Sequence, residues 1–175
     1  MDIQGAISVA VPFIEGWEGF EPAPYYDTNG YAIGYGNHYY EDGSPVTADD
    51  DPITQGRAEQ LLTFYVQQNA AAIAAQVTQG LNINELAALT SLRYNCGTIT
   101  NAVLNLVNSG ADPATVAAQI EQTCTTSGGV TNQDLILRRQ AEAGLYQQSP
   151  GTSLLPILIV AAVALYLLSH HKPTG

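Results

Sequence analysis

The segment from residue 14 to residue 38, IEGWEGFEPAPYYDTNGYAIGYGNH, sets the plan of the chain. It continues an apolar pattern over residues 6–17 that predicts a short helix, which either contains Pro12 or is broken by it. Alternation in residues 31–36 then predicts a small β-hairpin turning at residues 27–30. Glu18 therefore lies at a helix end and Asp27 at a hairpin turn, with eight residues between them.

After this segment the sequence becomes mostly helical. Residues 41–52 are rich in acids and turn formers, which predicts a solvated loop. Apolar spacing and capping residues then predict helices over residues 54–78, 82–95, 103–110, 113–123 and 132–146, with a loop at 125–129. Two starts are clear: residues 82–85 form a capping-box pattern, and Asp112 precedes Pro113. The predicted fold class is α+β, mostly α.

The charge of the chain limits its partners. Five Lys and Arg stand against sixteen Asp and Glu, for a formal net charge of -11. Ten of the acids precede residue 52, whereas the first cation is Arg57. Such a chain cannot bind a phosphate backbone by releasing counterions, so nucleic acid is excluded as a partner. The two cysteines, Cys96 and Cys124, are either buried thiols, the preferred interpretation, or a disulfide, and their spacing indicates no metal site.

The end of the chain has a different composition. Residues 148–153 read as a linker, and residues 154–168 are fifteen apolar residues interrupted only by a Tyr hydroxyl. At ~1.5 Å per residue this run is roughly 22 Å long, close to a bilayer core of ~30 Å. We predict a transmembrane anchor at residues 154–169 and a short polar tail at 170–175, with a buried core helix as the alternative. The first residues, MDIQG, lack the positive region of a secretory signal.

The two acids of the opening segment suggest a chemistry. A glycosidic bond can be cleaved by one carboxyl that keeps its proton and a second that stays ionised. Glu18 follows Trp17, so aromatic surface is expected to desolvate it, while Asp27 opens a polar turn. Taken alone, such a pair is more often two solvated surface residues.

The surrounding residues resemble the catalytic signature of phage-type lysozymes, glycoside hydrolase family 24. The family has a Glu, eight residues, an Asp or Cys, and then a Thr-Ile-Gly-x-Gly-His segment. Three further stretches are similar to family landmarks, so the resemblance covers about residues 8–147: residues 53–62, residues 88–97 (ALTSLRYNCG) and residues 135–146 (LILRRQAEAGLY).

This resemblance implies a lysozyme-like catalytic domain over residues 1–147, with a hairpin lobe, a helical lobe and no metal or cofactor. Glu18 would be the general acid that cleaves the bond between N-acetylmuramic acid and N-acetylglucosamine. Asp27 would hold the attacking water. Asn95 would hydrogen-bond Glu18 from below, and Tyr94 and His38 would line the saccharide cleft. The Arg138-Arg139 pair is expected to be a structural face.

The sequence departs from the family pattern at two positions. Ala32 occupies the place of the Thr that helps to hold the water, one residue closer to the Asp, and a methyl group cannot hydrogen-bond water. The candidates to replace the Thr are Thr28, Tyr31 and Tyr35. The family His is Asn37 here, with a His one place later, so an ion pair common in the family is expected to be absent.

The sequence therefore predicts a membrane-anchored lysozyme that hydrolyses bacterial peptidoglycan. The absence of a signal sequence, together with the anchor, favours a virion component held in a viral membrane, beside other virion proteins, and used against the host cell wall. A late lysis enzyme is the variant of this hypothesis. The alternatives are a weak or inactive peptidoglycan-binding virion protein of the same fold, and a lytic transglycosylase.

Overall fold

The structure, a computed structural model, describes residues 1–27 and 29–149. In these residues the chain forms six helices and two short antiparallel hairpins, which confirms the α+β, mostly α class. The helices are α1 (Ile3–Glu18), α2 (Gln55–Ala74), α3 (Ile83–Cys96), α4 (Asn101–Asn108), α5 (Pro113–Glu121) and α6 (Gln133–Tyr146). The strands are β1 (Glu21–Asp27), β2 (Gly30–Gly34), β3 (Thr126–Ser127) and β4 (Val130–Thr131).

The β1–β2 hairpin carries the second acid. Asp27 pairs with Gly30, Tyr26 with Tyr31, and Tyr25 with Ala32. The register is irregular between Glu21 and Tyr25. Pro22 and Pro24 lie in this stretch, and proline has no N–H to donate to a ladder. The regular end of the hairpin is therefore the end that holds Asp27.

Helix α3 is the centre of the helical lobe. It packs against α1, α2 and α6, and α5 packs against α6. Seven consecutive residues of α3, 86–92, are buried, so this helix is surrounded on nearly all sides. Its start has the predicted capping box: Asn82 accepts from backbone N–H groups of the first turn, and Glu85 accepts from the N–H of Asn82. These contacts fix the helix that carries one wall of the cleft.

Helix α1 runs unbroken through Pro12 to Glu18. A proline inside a helix costs ~3 kcal/mol because it removes a hydrogen bond and crowds the preceding turn. Buried side chains on both sides of Pro12 offset that cost: Ala6, Ile7, Ala10, Phe13 and Ile14. At the far end, Gly19 has a φ of 72° and donates its N–H to the Glu15 carbonyl, and the helix stops immediately after Glu18.

Two predictions about the region after α5 are corrected. Residues 125–129 were predicted as a loop, but they contribute to the small β3–β4 hairpin, since glycines at 128 and 129 adopt positive φ and allow a tight turn. The prediction of buried thiols is wrong for Cys124, which is exposed, whereas Cys96 is partly buried; both are free. Cys124 follows α5 and has a positive φ of 57°.

The predicted anchor at 154–169 and the tail at 170–175 lie outside the described residues, as does most of the linker. Within residues 1–27 and 29–149, no helix has both the length and the apolar character needed to cross a bilayer.

Candidate active site

A cleft of about 470 Å³ opens between the β1–β2 hairpin and the ends of α1 and α3. This volume lies in the usual range for ligand sites. All five site residues predicted from the sequence line it, together with five further residues. The lining comprises Glu18, Tyr25, Asp27, Asn29, Gly36, His38, Tyr94, Asn95, Cys96 and Gly97.

Glu18 is the last residue of α1 and is held by an arginine. Its Oε1 lies 2.7 Å from Nη1 of Arg138 on α6, and the Arg138 side chain is only 5% exposed. Trp17 packs against the helical core, and the aromatic residues that share the cleft with Glu18 are Tyr25 and Tyr94. A guanidinium at this distance can donate a charge-assisted hydrogen bond to the Glu18 carboxyl group. The pair is thus suited to stabilise the anion that remains when Glu18 gives up a proton.

Arg138 belongs to a buried charge cluster beneath the cleft. Its Nε lies 3.3 Å from Oε1 of Glu142, and Nε of Arg139 lies 2.9 Å from Oε2 of Glu142. Ser91 donates a hydrogen bond of 2.7 Å to the same carboxylate. Burial raises the pKa of the Glu142 carboxyl, and the two guanidinium groups oppose that shift. The predicted structural role of the arginines therefore holds for Arg139, while Arg138 also reaches Glu18.

Asp27 is fixed through both of its oxygens. Oδ1 accepts a hydrogen bond of 2.7 Å from the backbone N–H of Asn29, and Oδ2 lies 3.3 Å from Nε2 of His38. The Asp27 side chain is 36% exposed, so it is open to the cleft and to water. The carboxylate is consequently oriented without being removed from solvent.

A tight turn after β2 delivers His38. Ile33 and Asn37 exchange two backbone hydrogen bonds of 3.0 Å across it. The turn requires positive φ at Gly36, where a Cβ would lie 3.4 Å from Oε2 of Glu18 and 3.9 Å from the Tyr25 hydroxyl. Glycine at position 36 therefore lets the turn approach the acid closely.

Tyr94 and Asn95 line the cleft from α3, although their polar groups are largely engaged. The Tyr94 hydroxyl donates to the Tyr35 carbonyl at 2.9 Å and accepts from Asn37 Nδ2 at 3.2 Å, so its ring surface is what remains for a ligand. Oδ1 of Asn95 accepts from Arg139 at 3.0 Å. The expected bond from Asn95 to Glu18 is absent from the described residues, because Arg138 takes that place.

Ala32 provides no group that could hold a water molecule in the cleft. It is completely buried and pairs with Tyr25 across the hairpin, so its methyl group does not line the cleft. Tyr35 is also buried, with its hydroxyl near Gln55, and Tyr31 packs edge-on against Tyr26. Two of the three predicted substitutes therefore point elsewhere, and the third, residue 28, lies outside the described residues.

Sequence reasoning missed Tyr25 and Arg138 as cleft groups. Tyr25 lies two residues before Asp27 in a strand. Side chains two residues apart lie on the same face of a strand, so this spacing could have identified Tyr25 as a cleft residue. The contact of Arg138 with Glu18 joins residues 120 positions apart, and no local pattern indicates it.

A second groove of about 230 Å³ runs on from the cleft. The two cavities share Gly36, His38, Tyr94 and Gly97. The far part of the groove is lined by side chains that can stack or hydrogen-bond: Tyr39, Tyr65, Asn69 and Arg93. The four shared residues place the cleft and the groove side by side on one surface.

The cleft thus combines two carboxylates in different surroundings, one paired with an arginine and one open to water. That combination can protonate a leaving group from one side and direct a water from the other, the chemistry of glycoside hydrolysis.

Comparison with known proteins identifies the family of the chain. Residues 15–142 match the model of the family described as phage lysozyme. The chain is 30% identical over 132 residues to the endolysin of Lactococcus phage c2; the match covers 74% of this chain and 52% of that protein. The chain thus spans about half the length of the curated relatives it matches.

Two solved structures are similar. The endolysin from Escherichia coli O157:H7 phage FAHEc1 has a TM-score of 0.71 and 27% identity, with 87% of this chain and 98% of that one covered. A P22 lysozyme mutant, L86M, has a TM-score of 0.69 and 27% identity, with 81% and 97% covered. The predicted lysozyme-like fold is confirmed, and the chain belongs to the phage lysozyme family.

Proposed function

We propose that this chain is a peptidoglycan hydrolase that cleaves the bond between N-acetylmuramic acid and N-acetylglucosamine. The observation that supports it most directly is the presence of Glu18 and Asp27 in one cleft, in the order and spacing of the family signature. Glu18 is the general acid and Asp27 the residue that directs water.

The proposed reaction follows from the contacts of the two acids. Protonated Glu18 gives its proton to the glycosidic oxygen, and the bond from that oxygen to the anomeric carbon breaks. A water held by Asp27 attacks the carbon and gives its proton to the Asp27 carboxylate. Arg138 stabilises the Glu18 anion, since its Nη1 already lies 2.7 Å from the carboxylate. Proton exchange with solvent then restores both acids.

The remaining predicted site residues would hold the polymer. The Tyr94 ring offers a surface for a sugar face, because its hydroxyl is already hydrogen-bonded to backbone and to Asn37. Asn95 offers Nδ2, since its Oδ1 accepts from Arg139. The groove beyond His38 extends the site along the glycan.

The decisive test is product analysis. Purified cell walls are incubated with the full chain in mild detergent, and both loss of turbidity and released muropeptides are measured. We expect fragments with reducing N-acetylmuramic acid ends, and a loss of at least a hundredfold in Glu18→Gln and Asp27→Asn. Glu21→Gln, an exposed acid on β1, is the matched control and should keep full activity.

The same experiment separates the rival functions. Fragments ending in anhydromuramic acid would identify a lytic transglycosylase. Binding to wall fragments without any release of muropeptides would identify a wall-binding protein of the lysozyme fold. Clearing that persists in Glu18→Gln would contradict the assigned acid.

We further propose that residues 154–169 anchor the enzyme in a membrane, with the catalytic domain tethered by residues 148–153. The support is the sequence: fifteen apolar residues after a polar linker, followed by His170, His171 and Lys172. A net charge of -11 disfavours attraction to anionic lipid, so insertion would depend on apolar residues alone. An acidic lysozyme suits delivery to the wall by a virion rather than by diffusion.

Flotation with neutral lipid vesicles tests the anchor. The full chain should float in alkaline carbonate, and a variant that ends at residue 153 should remain at the bottom of the gradient. Recovery of the protein from purified virus particles, with loss on detergent extraction of their lipid, would support the virion role. Detection in lysing cells alone would favour the late lysis variant.

A further inference from the structure

The sequence position of His38 does not predict the contacts that its ring makes. It stands one residue beyond the family histidine position, which Asn37 occupies, and the turn at residues 33–37 directs it into the cleft. Its ring lies between two acceptors. Nδ1 is 3.0 Å from the Tyr31 carbonyl oxygen, and Nε2 is 3.3 Å from Oδ2 of Asp27.

These two contacts constrain the protons of the ring. A carbonyl oxygen only accepts, so Nδ1 must carry a hydrogen to bond Tyr31. A neutral ring would then present the Nε2 lone pair to the Asp27 carboxylate, which also only accepts. The doubly protonated ring suits both contacts: Nδ1–H is donated to the Tyr31 carbonyl, and the positive charge of the ring lies 3.3 Å from the Asp27 carboxylate.

We infer that His38 is a positioning residue for Asp27, and that its imidazolium performs the orienting task for which Ala32 has no polar group. This inference rests on the proposed function. The Asn29 N–H binds one oxygen of the Asp27 carboxylate and the His38 ring lies 3.3 Å from the other, so each oxygen has a partner that favours one orientation. Each oxygen keeps a second lone pair, which is available to the attacking water.

The competing role for His38 is direct contact with the saccharide, and kinetics separates the two. A residue that only binds substrate affects KM, whereas a residue that orients Asp27 for the chemical step affects kcat. His38→Phe keeps a ring of similar size but no donor. We expect it to lose about ten- to a hundredfold in kcat, as for a lost charge-assisted hydrogen bond, with KM changed less than about twofold.

His38→Gln is the conservative variant, which should retain much of the activity that His38→Phe loses. An amide nitrogen at the place of Nε2 can still donate to Asp27, and the amide does not titrate. We expect its kcat to lie within about tenfold of the wild type. In the wild type, kcat should fall as rising pH removes the imidazolium proton, and this part of the pH profile should be missing in His38→Gln. A limb shared by both proteins does not belong to His38.

The thiol and the buried phenols around His38 do not contribute to that profile. The ring shares its cavities with acids, phenols, a thiol and a guanidinium: Glu18 on α1, Tyr25 and Asp27 on β1, Tyr39, Tyr65 on α2, and Arg93, Tyr94 and Cys96 on α3. Burial raises the pKa of the Cys96 thiol to about 12 and raises the pKa of Tyr25, Tyr65 and Tyr94 above the ordinary phenol value. These groups stay neutral in the pH range of the assay.

A measurement independent of activity completes the test. Ring ¹⁵N chemical shifts of the full chain at the pH of the assay should show both His38 nitrogens protonated. In Asp27→Ala, which removes the acceptor, only Nδ1 should carry a hydrogen. If the wild type released no muropeptides, the proposed function would fail, while these shifts would still decide whether the pair exists. A neutral His38 ring in the wild type, or a His38→Phe variant with raised KM and unchanged kcat, would overturn the inference.

Discussion

Glu142→Gln probes the buried charge cluster that supports the cleft. Glu142 is completely buried, and it faces two arginines and the Ser91 hydroxyl. The amide has the same shape as the carboxyl and can keep the Ser91 hydrogen bond. The substitution therefore removes one negative charge and places an amide nitrogen where Oε2 lies 2.9 Å from Nε of Arg139.

The loss of stability depends on the partners that the two arginines retain. Arg138 retains the Glu18 carboxyl group as a partner at 2.7 Å. Arg139, which is also completely buried, keeps only neutral acceptors, Asn95 and Cys96. Removing one partner of a buried ion pair costs about 3–5 kcal/mol because an uncompensated charge is left in the interior. For a chain of this size that loss lowers Tm by about 6–20 °C.

Urea unfolding at neutral pH, followed by circular dichroism and by the fluorescence of Trp17, measures this loss. Glu121→Gln, an exposed acid on α5, is the matched control and should change the free energy of unfolding by less than about 0.5 kcal/mol. The double variant Glu142→Gln, Arg139→Gln should recover part of the loss, since no unpaired charge remains buried.

A loss below about 1 kcal/mol in Glu142→Gln would refute the reasoning. It would mean that Glu142 is already neutral in the folded protein, because burial raises its pKa more strongly than the arginines lower it.

Three further perturbations test other parts of the molecule. Asn82→Ala should cost about 1 kcal/mol in urea unfolding through loss of the α3 capping box; an unchanged midpoint would contradict that. Gly36→Ala and Gly110→Ala should each cost about 1–2 kcal/mol because both have positive φ, but only Gly36→Ala, whose methyl meets Glu18, should reduce muropeptide release. Hydrogen bonds from Thr115 lower the pKa of Asp112 below the ordinary aspartate value, so its stabilisation is present above that value and is lost as the pH falls through the lowered pKa. Tm should therefore fall less steeply on acidification in Asp112→Asn.

The sequence predicted the helical elements well, because caps and apolar spacing are local. The capping box at residues 82–85 and the N-cap at Asp112 both lie where predicted. The sequence allowed Pro12 either to lie within the first helix or to break it, and only the tertiary packing of α1 decides between the two. The β3–β4 hairpin was missed because its strands are two residues each, too short for an alternation pattern.

The residues of the site could be predicted from the sequence more completely than the contacts between them. The family resemblance placed five residues that share the cleft. It misassigned partners: Glu18 pairs with Arg138 rather than with Asn95, and His38 reaches Asp27. Such pairings depend on how a one-residue shift in a turn or the rotation of a distant helix directs a side chain, and neither is a local property of the sequence.

The contact between Glu18 and Arg138 ties the first helix of the chain to α6, across 120 residues. A nascent chain emerging from a ribosome holds Glu18 long before residue 138 exists, and its acid has no guanidinium beside it. The chemistry proposed for the cleft can begin only after α6 has docked on α3. Bond cleavage by this protein would therefore report directly on completed folding. A substitution anywhere along α6 that delays docking would abolish activity even though the residues of the cleft are unchanged.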